Sequence, residues 1–216
     1  MSKTLVTFGD SWPAGGGNKP RAIPFGKLIA DKLGYNFENY AQDATSIPHM
    51  ILQLQQYIKD NSGSHPTALF CLTTSARSMY YNPDKLEHMG WCEIQISNTD
   101  EASKQYYKHL YSEQLGYFHA NVYLAAIQHM CLKNKIKDRY VFCWETFDLM
   151  PGIDHSKIHG QTLADIIGAN IKNKVKTQYE VNVDTYNEFV KPNNNHPNQK
   201  GHQKIADVLA KWIETV

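Results

Sequence analysis

The chain has 216 residues, of which 42% are hydrophobic and 20% charged, with a formal net charge of +1. These proportions belong to a globular chain long enough to bury roughly 70% of its unfolded surface without staples. They exclude the basic footprint of a nucleic-acid binder and a polybasic membrane patch, and no apolar run approaches the ~20 residues of a membrane helix. The four cysteines, Cys71, Cys92, Cys131 and Cys143, are far apart and form no Cys-x-x-Cys pair, which predicts reduced thiols. Met1-Ser2-Lys3 leads straight into apolar sequence and leaves no room for a signal peptide, so a cytoplasmic protein is expected. Assembly into a virus particle is a second route compatible with that start.

In chain order, Lys3 to Phe8 reads as a first strand, followed by a Gly- and Pro-rich loop from Trp12 to Pro24. Phe25 to Leu33 repeats apolar residues at helical spacing, and Gly34 is placed to end that helix. Tyr35 to Tyr40 reads as a short strand. Ser46 is the predicted cap of a helix with Ile47, Met50, Ile51, Leu54, Tyr57 and Ile58 on one face. Ala68 to Leu72 is a continuous apolar run, as expected of a parallel strand buried on both faces. Residues 75–102 are too polar and irregular for a plain crossover and read as an insertion, with Trp91 to Ile96 as a short strand or hairpin. Ser103 to Lys135 is predicted helical with a break near Gly116. Tyr140 to Trp144 is another strand, Leu163 to Val175 a helix, and Glu180 to Val183 a short last strand. A helix from Gln199 to Thr215 closes the chain, with Ile205, Val208, Leu209 and Trp212 inward. Strands alternating with helices predict an α/β fold, one domain spanning 1–216 with a central parallel sheet covered on both faces.

Two stretches carry chemistry. The first is Gly9-Asp10-Ser11, where a buried strand stops at a small polar turn; the carboxyl ends of strands are where α/β sheets bind ligands. The second is His196-Pro197, just ahead of the final helix. A serine hydroxyl is a weak nucleophile until a base takes its proton, and histidine is the side chain whose ordinary titration range suits that task. His202, on the same segment, reads as a first-turn helix residue.

Gly-Asp-Ser after the first strand and His-Pro before the last helix together resemble the SGNH (GDSL-like) hydrolases over nearly the whole chain. The resemblance implies a flavodoxin-like three-layer α/β/α sandwich and a serine esterase acting on a small acyl ester of a carbohydrate or lipid, without metal or organic cofactor. It implies Ser11 as nucleophile, His196 as base, and Asp10 as a residue that holds the turn. The oxyanion donors it implies are the N–H groups of Ser11 and Ala44 and the hydroxyl of Ser75, with Thr74 as a one-residue-shifted substitute for Ser75. Ala44 stands where the family has glycine, and Ser75 where it has asparagine.

The third catalytic member departs further. The family's Asp-x-x-His-Pro becomes Asn193-Asn194-Asn195-His196-Pro197. An amide oxygen accepts from an imidazole N–H but does not stabilise the imidazolium; in serine proteases the same change costs roughly 10⁴ in turnover. Three cases stay open: a Ser-His dyad oriented by Asn193 or backbone, a carboxylate supplied by Asp154, Asp184 or Glu188, or low or lost activity. The last would make the chain a binding or structural protein of the same fold, in a virus particle for example. Arg77 is a candidate for an anionic substrate group or, alternatively, the partner of a structural carboxylate. Trp12 and the run Gly15-Gly16-Gly17 are candidates to line the acyl or sugar pocket, or to pack. His155 and His159 lack a third nearby ligand and read as surface residues.

Overall fold

The computed structural model describes residues 3–16, 21–85, 90–169, 188–190 and 196–215. Strands β1 (Thr4–Gly9), β2 (Asn36–Asn39), β3 (Thr67–Leu72) and β6 (Lys137–Phe142) form one parallel sheet in the order β2-β1-β3-β6. Its strand residues alternate between two cores. Leu5, Leu69, Cys71 and Val141 face one layer of helices, α1 (Phe25–Leu33), α5 (Leu163–Ile166) and α6 (Gln199–Thr215). Val6, Phe8, Phe70, Leu72 and Tyr140 face the other, α2 (Ile47–Asp60) and α4 (Glu113–Lys133). This is the three-layer α/β/α arrangement expected from the sequence.

The second core has a row of rings that locks the register. Phe8, Phe70 and Tyr140 lie side by side on neighbouring strands, with centroids 4.7 Å and 5.2 Å apart and nearly parallel planes. All three are fully buried, and a one-residue slip would carry each ring to the opposite face.

Chain order fixes where the site lies. From β1 the chain crosses through α1 to β2 on one side, then through α2 on the other face to β3, so the strand order reverses at β1. Such a switch point opens a crevice at the carboxyl ends of the strands, and Gly9 to Ser11 sit at its lip.

Most elements match the sequence reading. Gly34 takes φ +65° and its N–H closes on the last carbonyls of α1. Ser46 does precede α2, but its hydroxyl caps nothing and is buried without a hydrogen-bond partner. Within residues 75–102, β4 (Ser78–Tyr81) pairs antiparallel with β5 (Trp91–Ile94), the hairpin anticipated from the alternation at Trp91. The long helix breaks at Tyr111–Ser112 instead of Gly116. A short α3 (Glu101–Gln105) runs into a π-helical turn, Tyr106–Leu110, and α4 starts afresh with Ser112 Oγ accepting from Leu115 N–H at 3.2 Å. Gly116 lies inside α4 because a Cβ there would stand 3.0 Å from the Ser75 carbonyl oxygen; the glycine permits close approach, not a break. α5 ends at Ile166, short of the expected Val175, and the expected strand at 180–183 lies outside the described residues. Among the described residues no helix is long and apolar enough to cross a membrane.

Candidate active site

The site is built on the turn after β1. Gly9 has φ +138°, and a Cβ there would meet the Cys71 carbonyl oxygen at 2.8 Å and Pro13 Cγ at 2.9 Å. Only glycine meets both demands. Both polar groups of Gly9 are held from α2: its N–H donates to Gln53 Oε1 at 3.1 Å, and its carbonyl accepts from Gln53 Nε2 at 3.2 Å. The same carbonyl accepts from Thr45 Oγ1 at 2.7 Å and Gln42 N–H at 3.0 Å. The strand end is thereby tied to the loop that carries Ala44.

Asp10 is fully buried. Its Oδ1 accepts from Trp12 N–H at 3.1 Å, and its Oδ2 accepts from Thr73 Oγ1 and Arg77 Nη1, both at 3.0 Å. A carboxylate so far from water requires this pairing. Three segments, the ends of β1 and β3 and the start of β4, are joined at one side chain. Asp10 therefore holds the turn, as the sequence resemblance implied. Burial, followed by the negative charge of Asp10, pushes the Cys71 and Cys143 thiols well above their ordinary range; these are inert core cysteines.

Ser11 starts a tight turn, with Gly16 N–H donating to its carbonyl at 2.7 Å. A Cβ on Gly16 would collide with the Asp43 carboxylate and stand 2.9 Å from Ser11 Cβ, so the glycine keeps the turn closed against the serine. From 185 residues away, His196 Nε2 stands 2.9 Å from Ser11 Oγ. The contact is within hydrogen-bond reach, and with the ring proton on Nδ1 the hydroxyl would donate to Nε2.

The loop bearing His196 is fixed by its neighbour Asn198. That amide donates to the Glu188 carbonyl at 2.6 Å and the Val190 carbonyl at 3.3 Å, and its oxygen accepts from Gly201 N–H at 3.1 Å, capping α6. Pro197 bridges to Val190. Gly201 is pressed against the Phe189 carbonyl, where a Cβ could not fit.

His202 has a structural role. It is fully buried, its Nδ1 accepts from Phe25 N–H at 3.2 Å, and its ring stacks on Phe25. It ties α6 to α1.

Ala44 has φ +68°. A non-glycine residue in the left-handed region is strained by about 1–2 kcal/mol, and the glycine that the family carries here removes that cost.

For Trp12 and Arg77 the structure shows the structural alternative. Trp12 is fully buried in the α1–α6 core and packs edge-on against Trp144, centroids 4.2 Å apart. Arg77 takes the structural role weighed for it, with Nη1 donating to Asp10 and to the Thr45 carbonyl at 3.3 Å.

The hydroxyls expected as oxyanion donors, Thr74 and Ser75, are also placed. Thr74 Oγ1 donates to Glu145 at 3.0 Å. Ser75 is buried with its hydroxyl unpartnered, beside a small cavity that Ile47, Arg77, Tyr106 and His119 help to line and that neither Ser11 nor His196 borders.

Of the alternative carboxylates, Asp154 caps its own 3₁₀ turn through Ser156 and stands 3.8 Å from Lys157. The hydrogen bonds from Ser156 hold its carboxyl below the usual range. Glu188 pairs with Lys200 at 3.1 Å in solvent. Asp184 and Asn193 lie outside the described residues, as does Gly17. Among the described residues no cluster of His, Cys, Asp and Glu could hold a metal ion.

Sequence reasoning missed Gln53, Asn39 and Thr73. Asn39 accepts from Thr7 Oγ1 at 2.8 Å and donates to the Pro13 carbonyl at 3.2 Å, holding the Ser11 loop from β2. Asn39 opens the stretch Asn39–Ala44 that resembles the family's Asn-x-Gly-x-x-Gly, which was the available signal; Gln53 gave none, being one more polar residue on a helix.

The sequence matches no protein-family model, and no curated protein matches it. Solved structures do. An esterase, EstA, from Pseudoalteromonas sp. aligns with a TM-score of 0.51 at 12% identity over 99% of this chain and 100% of its own. A member of the lipolytic G-D-S-L family from Veillonella parvula gives 0.52 at 14% identity over the whole of both chains. An acetyl xylan esterase, Est2A, from Butyrivibrio proteoclasticus gives 0.53 at 13% identity; the alignment covers 99% of this chain and 64% of that one. With the parallel sheet in the order β2-β1-β3-β6 and helices on both faces, the chain has the fold of the SGNH (GDSL-like) hydrolases.

Proposed function

We propose that the chain is a divergent SGNH-type serine esterase that cleaves a small acyl ester, with Ser11 as nucleophile and His196 as base. The observation that carries this reading is the 2.9 Å approach of His196 Nε2 to Ser11 Oγ at the switch point of the sheet. Two residues so distant in sequence are held there by two separately braced loops, one around Asp10 and one around Asn198.

His196 Nε2 takes the hydroxyl proton as Ser11 Oγ attacks the ester carbonyl. The N–H groups of Ser11 and Ala44 receive the oxyanion. The imidazolium then returns its proton to the leaving alcohol, leaving an acyl-serine. A water deprotonated by His196 attacks that ester, and collapse regenerates Ser11. The Ser75 hydroxyl borders a cavity that Ser11 does not line, so this reading gives it no part in the oxyanion hole.

Asn193 occupies the sequence position of the family's orienting aspartate. Its amide oxygen can accept from His196 Nδ1–H and fix the ring's tautomer, without offsetting the charge that develops there. Slow turnover follows. The likeness to an acetyl xylan esterase makes O-acetylated carbohydrate the first substrate class to test, alongside short-chain lipid esters.

The test compares wild type, Ser11→Ala and Asn193→Asp on short-chain p-nitrophenyl esters and acetylated xylan. Hydrolysis that disappears with Ser11→Ala supports the reading. Hydrolysis that persists unchanged in Ser11→Ala overturns it.

A further inference from the structure

The outward face of α4 is unlike that of an ordinary surface helix. Leu115, Phe118, Val122, Ala125, His129 and Leu132 recur at alternating spacings of three and four, the pattern of a coiled-coil seam. Phe118 is 51% exposed, Val122 45% and Leu132 71%. Ala125 and His129 are also exposed, and Leu115 is half-buried. The opposite face, with Ala120, Leu124, Ile127 and Cys131, already fills the core. From Gln114 to Leu132 the helix contains no Asp, Glu, Lys or Arg. A solvated helix face is normally charged, and depletion of charge marks the centre of an interface. Among the described residues, one stripe of this helix packs into the core and a second is exposed.

We propose that this stripe is the seam of a two-fold homodimer in which α4 packs antiparallel against α4 of a second copy. The sequence is self-complementary in that arrangement. With the axis between Tyr123 and Leu124, Val122 meets Ala125 of the second copy, Phe118 meets His129, and Leu115 meets Leu132. Large residues face small ones at the crossing point, a ring faces a ring further out, and leucines close both ends. Charge agrees as well. The only charges on the helix lie at its ends, Glu113 at the start and Lys133 at the finish. An antiparallel pair brings the acidic end of each helix to the basic end of the other and aligns the two macrodipoles favourably; a parallel pair sets like ends together. The seam runs about 27 Å with the ~10 Å width of one helix. That is smaller than the roughly 800 Å² per partner of a standard interface, so the dimer is weak.

The experiment is sedimentation velocity on the full chain across low to high micromolar concentrations, for wild type, Val122→Glu and Ala125→Glu. Both positions are exposed, so the variants keep the wild-type circular dichroism and unfolding temperature. Wild type is expected to shift from monomer to dimer, and each glutamate to weaken association about a hundredfold or more by placing like charges at the axis. Direction is read separately by cross-linking. Leu115→Cys mixed with Leu132→Cys gives a mixed disulfide, and neither variant links to itself above the wild-type background. A wild type that stays monomeric throughout overturns the proposal, as does a dimer indifferent to both glutamates. Self-linking of each cysteine variant alone overturns the antiparallel arrangement. A monomer that binds anionic lipid vesicles through Val122 would mean that a membrane surface, not a second copy, covers the stripe.

Discussion

Arg77 Nη1 lies 3.0 Å from Asp10 Oδ2, one residue before the proposed nucleophile and across 67 positions of sequence. Asp10 is fully buried and the Arg77 side chain is 20% exposed. Removing one partner strands the other in a poorly hydrated place. Asp10→Asn is expected to destabilise the chain by about 3 kcal/mol, lowering the unfolding midpoint by roughly 6–12 °C. Arg77→Met should cost less than this, and the double variant less than the sum of the two. Calorimetry on the three variants measures the coupling; additive losses would mean that the pair does not hold the turn.

Gly9 makes a second demand on the same turn. With φ +138° and no room for a Cβ, Gly9→Ala is expected to cost about 3 kcal/mol or more. Gln53→Ala, which removes the two Gln53 bonds to Gly9, should cost about 1–3 kcal/mol. Denaturant unfolding gives both values. Esterase activity in Gln53→Ala should fall more than its folded fraction does, because the serine loses its fixed placement.

Ala44 provides a test in the opposite direction. Its φ of +68° is natural for glycine, so Ala44→Gly is expected to raise stability by about 1 kcal/mol, or roughly 2–4 °C in Tm, without loss of turnover. Ala44→Val, β-branched in the same conformation, should lose both. A destabilised Ala44→Gly would show that the loop gains something from the methyl group that outweighs its strain.

Asn193→Asp restores a carboxylate at the position that orients the base in the resembling family. An increase in kcat of tenfold or more, toward the roughly 10⁴ that separates the two side chains in serine proteases, is expected, with KM little changed. An unaffected kcat would identify a dyad or another carboxylate as the orienting group.

The strand-and-helix frame was legible because buried parallel strands announce themselves as apolar runs. Leu69 to Leu72 and Tyr140 to Phe142 proved fully buried or nearly so. Gly34 was legible as a helix end for the stereochemical reason that placed it there. Ser11 and His196 were recognised as a pair from motif and position, though no local rule could supply their separation. What failed were details decided by tertiary contact. Trp12 beside the serine left pocket wall and packing both open, and contact with Trp144 decides for the core. Ser46 has cap chemistry but a buried hydroxyl. Gly116 was read as a break when its role is to admit the Ser75 carbonyl. Gln53, 44 positions from Gly9, carries no sequence mark of its contact with the strand end.

The most direct measurement is the intact mass of the chain after exposure to a fluorophosphonate, with peptide mapping of the adduct, for wild type, His196→Gln and Ser11→Ala. This reads nucleophilicity without knowledge of the substrate. The account predicts one adduct per wild-type chain, on Ser11, formed at least about a hundredfold more slowly in His196→Gln and absent in Ser11→Ala. An adduct on another residue, or a Ser11 adduct whose rate is indifferent to His196, would contradict it.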